Sequence, residues 1–343
     1  MVEFLNRYVS IEEESTYGTE PSGTPVYGEV DDESLGTTYD LMTRQDMSRP
    51  ISSKSVTGLE RSEGDINLAL QVDDFVGTVL GAFFPKTDYD TITTGVHTFD
   101  EPVVAGDAYR SYTLRVGREE KEHTFTGMVA NSMSISATVG EYVMLSASFV
   151  GKREEAPATL ATPSFSGDAL DALYFANGTV NFDDGSGAAP GASASVKSFS
   201  LDVNLNRDTD NAYAIGDSTY SRAPPAQRRE ISGTIEFNKV IYSSSKDEPL
   251  FGDLVSADGL IMSDAAADPT IILDLQNEDN DNTEYVRISL YNVRFEAPEA
   301  SVSGRDTNTM SVGFVALYDA TASGADMAMR IQAKGTALKT AAF

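Results

Sequence analysis

The 343-residue sequence contains no cysteine and no tryptophan, and only two histidines. It also has no apolar run near the roughly 18 residues that a membrane-spanning helix requires. Without cysteine there are no disulfides, thiolate metal sites or cysteine nucleophiles. Stability must therefore come from packing, hydrogen bonds or assembly. The first eighteen residues carry one Arg and four acids in place of a basic stretch followed by an apolar one, so a soluble protein without a secretory signal is expected. Basic residues are scarce as well: 25 Lys and Arg stand against 53 Asp and Glu, a net charge of −28. That surplus repels itself in dilute salt. It fits a cytoplasm of molar salt, where the Debye length is about 3 Å, and it also fits a surface that must keep polyanions from sticking. Tight duplex binding is disfavoured, because Lys152-Arg153 and Arg228-Arg229 are the only adjacent basic pairs and counterion release needs a clustered basic face.

Catalytic sets are missing too. His97 is expected in a Thr-rich loop and His123 at a charged turn. The sequence has no phosphate-binding Gly-rich loop and no G-x-S-x-G elbow. "NEDNDN" (277–282) lacks the Gly and the closing Glu of a calcium loop and reads as a solvated hairpin tip. Asn177-Gly-Thr179 fits a glycosylation acceptor, but Asn-Gly is first a tight-turn dipeptide. No catalytic residue, cofactor or metal ligand is expected.

What is present is strand rhythm. Residues 111–117, 132–139, 142–150, 198–205, 231–240, 270–276, 285–295 and 309–318 mostly alternate apolar and polar positions between Gly, Asn, Asp or Pro breaks. Met133, Ile135, Ala137 and Val139, and then Val143, Leu145, Ala147 and Phe149, give one apolar face opposite a Ser-rich one, the pattern of half-buried antiparallel strands. Helical signals are few. "DDFVGTVLGAFF" (73–84) forms an apolar stripe behind an Asp73 cap, and "DEPLFGDLVSADG" (247–259) opens in the same way.

The order of these elements recurs. A loop with Arg and Pro, a strand, a capped helix, a hairpin with a charged turn and a strand pair occupy the first half. The same five follow in the second half with low identity, which predicts a duplicated architecture. The boundaries are an extended N-terminal arm over 1–28, a first β domain over 29–152, a Pro- and Ala-rich linker over 153–168, a second β domain over 169–325 and a C-terminal tail over 326–343.

The arm "TYGTEPSGTPVYGEV" (16–30), the segment "GDINLALQVDDFVGTVLGAFF" (64–84), "FTGMVANSMSISATVGEYVMLSASFVGK" (125–152) and "SFSLDVNLNRDTDN" (198–211) resemble the tail tube, or major tail, proteins of tailed viruses. With the acidity, the resemblance points to a virus of haloarchaea. It implies a mainly β fold of tandem tail-tube-like β-sandwich or split-barrel domains, each with one short flanking helix. It implies a non-enzymatic virion protein, assembled in the host cytoplasm, whose rings stack into a hollow tail tube that delivers double-stranded DNA. Its partners would be copies of itself, in rings of three duplicated chains or of six, and the tape measure, terminator and baseplate proteins, with no membrane. Six domains of four strands would close about 24 strands, tilted about 40°, into a circle ~48 Å across, which is wide enough for a duplex. The residues expected to carry assembly are Tyr17 and Tyr27 of the arm and Met133, Ile135, Val143, Leu145, Phe149, Val312 and Phe314 of the strands. Other readings within reach are a baseplate or terminator ring and a cell-surface or decoration β protein.

Overall fold

The alternation in the sequence becomes a long sheet with one apolar and one polar face. The computed structural model describes residues 7–45, 47–48, 50–52, 54–85, 90–93, 95–100, 109–165, 172–183, 191–193, 195–241, 270–277, 283–301, 308–318, 328–335 and 338. In chain order the strands are β1 (Tyr8–Glu13), β2 (Val26–Gly28), β3 (Asp32–Glu33), β4 (Gly36–Arg44), β5 (Lys54–Ala69), β6 (Asp90–Thr93), β7 (Val96–Asp100), β8 (Tyr112–Arg118), β9 (Lys121–Thr138), β10 (Met144–Gly151) and β11 (Arg153–Glu154). They continue with β12 (Gly178–Asp183), β13 (Gly191–Ala192), β14 (Val196–Asn204), β15 (Glu230–Phe237), β16 (Thr270–Gln276), β17 (Tyr285–Leu290), β18 (Val293–Phe295), β19 (Glu299–Ser301), β20 (Thr309–Ala316) and β21 (Met329–Lys334). They form two antiparallel sheets, of fourteen and seven strands.

The spine of the larger sheet runs β18-β20-β15-β14-β9-β10-β5-β3, with β4 also on β5 and β19 on β20. Strand β9 serves twice. Its first part pairs with β8, which carries β1 and then β2, while its second part lies between β10 and β14. The turn between these roles falls at Gly127, whose φ of 68° favours glycine. The sequence suggests two separate strands here, and the structure joins them into one of 18 residues. The smaller sheet is ordered β13-β12-β16-β17-β21-β7-β6.

The pairings of the first half recur in the second. The row β2-β1-β8-β9 is matched by β13-β12-β16-β17, and the row β9-β10-β5-β4 by β18-β20-β15-β14. Register is kept as well. Phe149 faces Gly64 on one side and Ala130 on the other, as Phe314 faces Gly233 and Phe295. The halves are joined in the larger sheet by β14 on β9 and in the smaller by β21 on β7.

Helix α1 (Asp74–Gly81) begins as the sequence predicts, with the Asp73 carboxylate accepting the Val76 N–H at 2.7 Å. Phe75, Val76, Val79 and Leu80 sink into the core, and Phe75 occupies the space that a side chain at Gly28 would need. One continuous apolar cluster links α1, the inner faces of both sheets and β1. Phe83 meets Phe149, and Phe182 meets Phe237, with ring centroids 6.3 and 6.2 Å apart. The second capped helix (247–259) and the hairpin tip at 278–282 lie outside the described residues.

The ends of the chain differ from expectation. Residues 8–13, read from the sequence as part of an extended arm, form β1 in register with β8, with Tyr8, Val9 and Ile11 buried. The segment looks polar because Glu12 and Glu14 are buried with partners. Residues 329–334, assigned to a tail, form β21 inside the smaller sheet.

Candidate assembly surfaces

Three surface features stand out. The first is the polar face of the larger sheet. Ser132, Ser134 and Ser136 of β9, Ser146 and Ser148 of β10, Asp65 and Asn67 of β5, Ser200 and Asp202 of β14, and Thr234 and Glu236 of β15 alternate with core residues. Ser200 and Thr234 share a 2.7 Å hydrogen bond, and Lys197 pairs with Glu236 at 2.9 Å. Of the residues named here three are acids, Asp65, Asp202 and Glu236, against one base, Lys197.

The second feature is a pair of open borders. β18 and β19 pair only with β20, and β3 and β4 only with β5, among the described residues. At the second border the Glu33 carboxylate accepts the Leu35 N–H at 2.9 Å and meets Arg118 at 2.8 Å, while Arg118 also donates to the Leu35 carbonyl. An exposed edge blunted by charge in this way resists unwanted pairing.

The third feature is a projecting hairpin. β10 covers β5 only from Ser62 to Ala69, so residues 38–44 of β4 and 54–61 of β5 run beyond the sheet for about 26 Å at ~3.3 Å per residue. Tyr39, Leu41, Met42 and Val56 on it are 58 to 68% exposed, and Leu59 is 42% exposed. Its base is braced by the loop after β14, through Glu60 N–H to the Ser218 carbonyl at 2.8 Å and Tyr213 Oη to the Glu60 carbonyl at 3.3 Å.

The residues expected to carry assembly fall elsewhere. Met133, Ile135, Val143, Leu145, Phe149, Val312 and Phe314 are all buried in the core of a single chain. Tyr27 packs edge-on against Tyr8 and Phe165, and burial raises its hydroxyl pKa. Tyr17 lies over Gly127, and burial raises its pKa too, reinforced by Tyr220 and Glu14. These strand residues build the sheet, and the borders that the sheet leaves open are contributed by β3, β4, β18 and β19.

The N-terminal segment is anchored from within. The Glu14 carboxylate accepts from Gly18 N–H at 2.7 Å, Ser111 Oγ at 2.8 Å, Thr113 Oγ1 at 2.8 Å and Gly127 N–H at 2.7 Å. Arg115 holds Glu12 at 2.8 Å and Glu20 at 3.2 Å. At the seam between the halves Arg207 donates to the Ala130 and Pro224 carbonyls and lies 4.4 Å from the Tyr109 ring centre. Burial lowers its pKa to about 10. Arg229, from the basic pair noted in the sequence, lies over the same ring.

His97 is buried in β7 beside Phe99 instead of lying in a loop, and His123 Nδ1 meets Glu154 at 2.6 Å. Among the described residues no group of three or more metal-binding side chains is assembled, and no helix is long and apolar enough to cross a membrane.

Fold and surface thus define a mainly β chain marked by a long polar sheet face, open strand borders and an apolar hairpin. A family model described as phage tail tube protein matches residues 5–238, and the chain belongs to that family. The match takes in the first half, crosses the seam and ends just past β15. No curated protein matches the chain. The family makes the protein a structural, non-enzymatic component of the virion tail that associates with itself to form the tube.

Proposed function

We propose that the two halves are duplicated tube domains and that three chains close a ring of pseudo-sixfold symmetry. One observation carries this reading: four strands in the same order and register occur twice, and the halves are already joined by β14 on β9 as two neighbours in a ring would be. Each chain then brings eight strands of the ring wall, two sets of β9-β10-β5-β4 type. The Ser- and acid-lined face turns to the lumen, where a surface without clustered positive charge lets a duplex pass without sticking. The β4–β5 hairpin reaches the adjacent ring with its apolar side chains. The excess of acids supports a source with molar internal salt, as in haloarchaea, and thermal unfolding should then shift upward as KCl is raised toward molar concentration.

Electron cryomicroscopy of tubes grown from purified protein tests the ring. Threefold symmetry with six similar domains around the lumen is the expected result. Sixfold symmetry, with six chains lining the lumen and second halves on the outside, would overturn it.

A further inference from the structure

The internal seam supplies a template for the contact between subunits, at the level of single residues. Across β14 and β9, Asp202 faces Ser134 and Asn204 faces Ser132. Each of these strands has a counterpart at an open border. On the β14 side, Asp202 pairs with Ser232 and Asn204 with Glu230, as Gly36 pairs with Glu63 and Thr38 with Arg61. Because Gly233 and Gly64 occupy matching places opposite Phe314 and Phe149, Gly36 stands where Asp202 does and Thr38 where Asn204 does. On the β9 side, Ser134 pairs with Ser146 as Glu299 pairs with Ser311, and Ile135 with Leu145 as Ala300 with Met310. Glu299 therefore stands where Ser134 does, and Ala297, two residues earlier on the same edge, stands where Ser132 does.

We infer that the β3–β4 border of one chain pairs antiparallel with the β19 border of a second copy, with Gly36 opposite Glu299 and Thr38 opposite Ala297. This rests on the ring reading above and fixes its register. The borders suit each other chemically. Gly36 has nothing closer than the Ser34 carbonyl at 3.9 Å around its missing side chain, and Thr38, Ala297 and Glu299 are exposed. Extending the same register places Leu35 opposite Ala300. There, pairing takes over the Leu35 N–H and carbonyl from Glu33 and Arg118, so the charged cap on the lone edge is what a neighbour displaces. A sheet edge completed by an equivalent strand also satisfies the backbone groups that make open edges prone to disordered association.

Because the natural chain has no cysteine, disulfides can report this register without background. The full-length Gly36→Cys/Glu299→Cys protein, assembled and mildly oxidised, is expected to run on a non-reducing gel as dimers and closed trimers, and as monomer after reduction. Directly opposed positions in an antiparallel sheet have α-carbons roughly 4.5–5.5 Å apart, within the span of about 4.4–6.8 Å that a disulfide bridges. Thr38→Cys/Ala297→Cys tests the same register at two exposed positions and serves if the first variant folds poorly. Asp202→Cys/Ser134→Cys is the internal control and should close within one chain. Closure of the control with only monomer from both test pairs, in tubes of threefold symmetry, overturns the register and leaves the ring. Covalent species extending to six chains keep the register and overturn the ring of three.

Discussion

Gly233 stands opposite Phe314 in the β15–β20 ladder, and two carbons of the Phe314 ring lie 2.5 and 2.9 Å from where a side chain on the glycine would begin. The backbone oxygen of Ser200 is closer still, at 2.1 Å. Gly233 is thus where β14, β15 and β20 come together, and the Phe314 ring stacks on Phe199 with centroids 5.6 Å apart. Gly233→Ala is expected to cost about 2–3 kcal/mol, because a packed interior absorbs an added methyl only by shifting side chains and backbone. Gly36→Ala, in open space, should cost less than about 0.5 kcal/mol. Thermal unfolding of the two variants side by side checks this, and equal midpoints would show that the ladder at Gly233 can give way.

Glu14 offers a different kind of test. Its carboxylate is buried and collects four donors from three stretches of chain, two of them backbone N–H groups. Glu14→Ala leaves those donors without their acceptor, at an expected cost of about 3–5 kcal/mol. Glu14→Gln keeps the volume but turns two amide hydrogens toward the same donors and should recover less than half of the loss. Urea unfolding followed by circular dichroism measures both. Truncation of residues 1–28 should go further and unfold the subunit, since it removes β1 from a sheet in which Ile11 is fully buried.

Asp73 gives a prediction in pH. Burial first, and then the nearby charges of Asp74 and Glu29, push its pKa from 3.8 up to about 6 in the folded chain, while the cap bond to Val76 pulls the other way. The folded state therefore holds this proton more tightly than the unfolded chain does. The stability contributed by protonated Asp73 is complete below pH 3.8 and is lost as pH rises to about 6. Asp73→Asn keeps an oxygen for the cap and has no proton to lose, so the stability difference between variant and parent should grow in favour of the variant across that window. Asp73→Ala loses the cap and should fall about 1 kcal/mol below the Asn variant. Parallel pH profiles for Asn variant and parent would show that the carboxylate is solvated.

The strands around Met133 to Phe149 and from Thr309 onward were readable because half of each strand is buried, and burial on one face alone writes a period of two into the sequence. The Asp73 cap was readable because the chemistry of a helix start is local. The repeated order of strand pairings involves strands whose rhythm is visible in the sequence even where identity is low. Other features left no such trace. β9 passes through Gly127 without a break and changes partners there, and no local signal marks that change. The stretch of β1 reads as polar because Glu12 and Glu14 are matched by Arg115, Ser111, Thr113 and Gly127 about a hundred residues away. The apolar residues expected to carry assembly proved to be core residues, because periodicity identifies a buried face and is silent on which edge is left open.

The β4–β5 hairpin is not legible in the sequence for a related reason. Both of its faces are exposed where it leaves the sheet, so Tyr39, Leu41, Met42 and Val56 follow no single stripe. Leu41 and Met42 are 68 and 61% exposed, and replacing either with Asp should change subunit stability by less than about 0.5 kcal/mol. In the assembled tail the same change would place a buried, unpaired carboxylate in the contact between rings, which costs several kcal/mol at each hairpin. Leu41→Asp and Met42→Asp are therefore expected to give subunits with the parent's unfolding midpoint that form single rings and no long tubes, counted by negative-stain electron microscopy. Tubes of the parent's length from both variants would show that the hairpin's apolar side chains do not join one ring to the next.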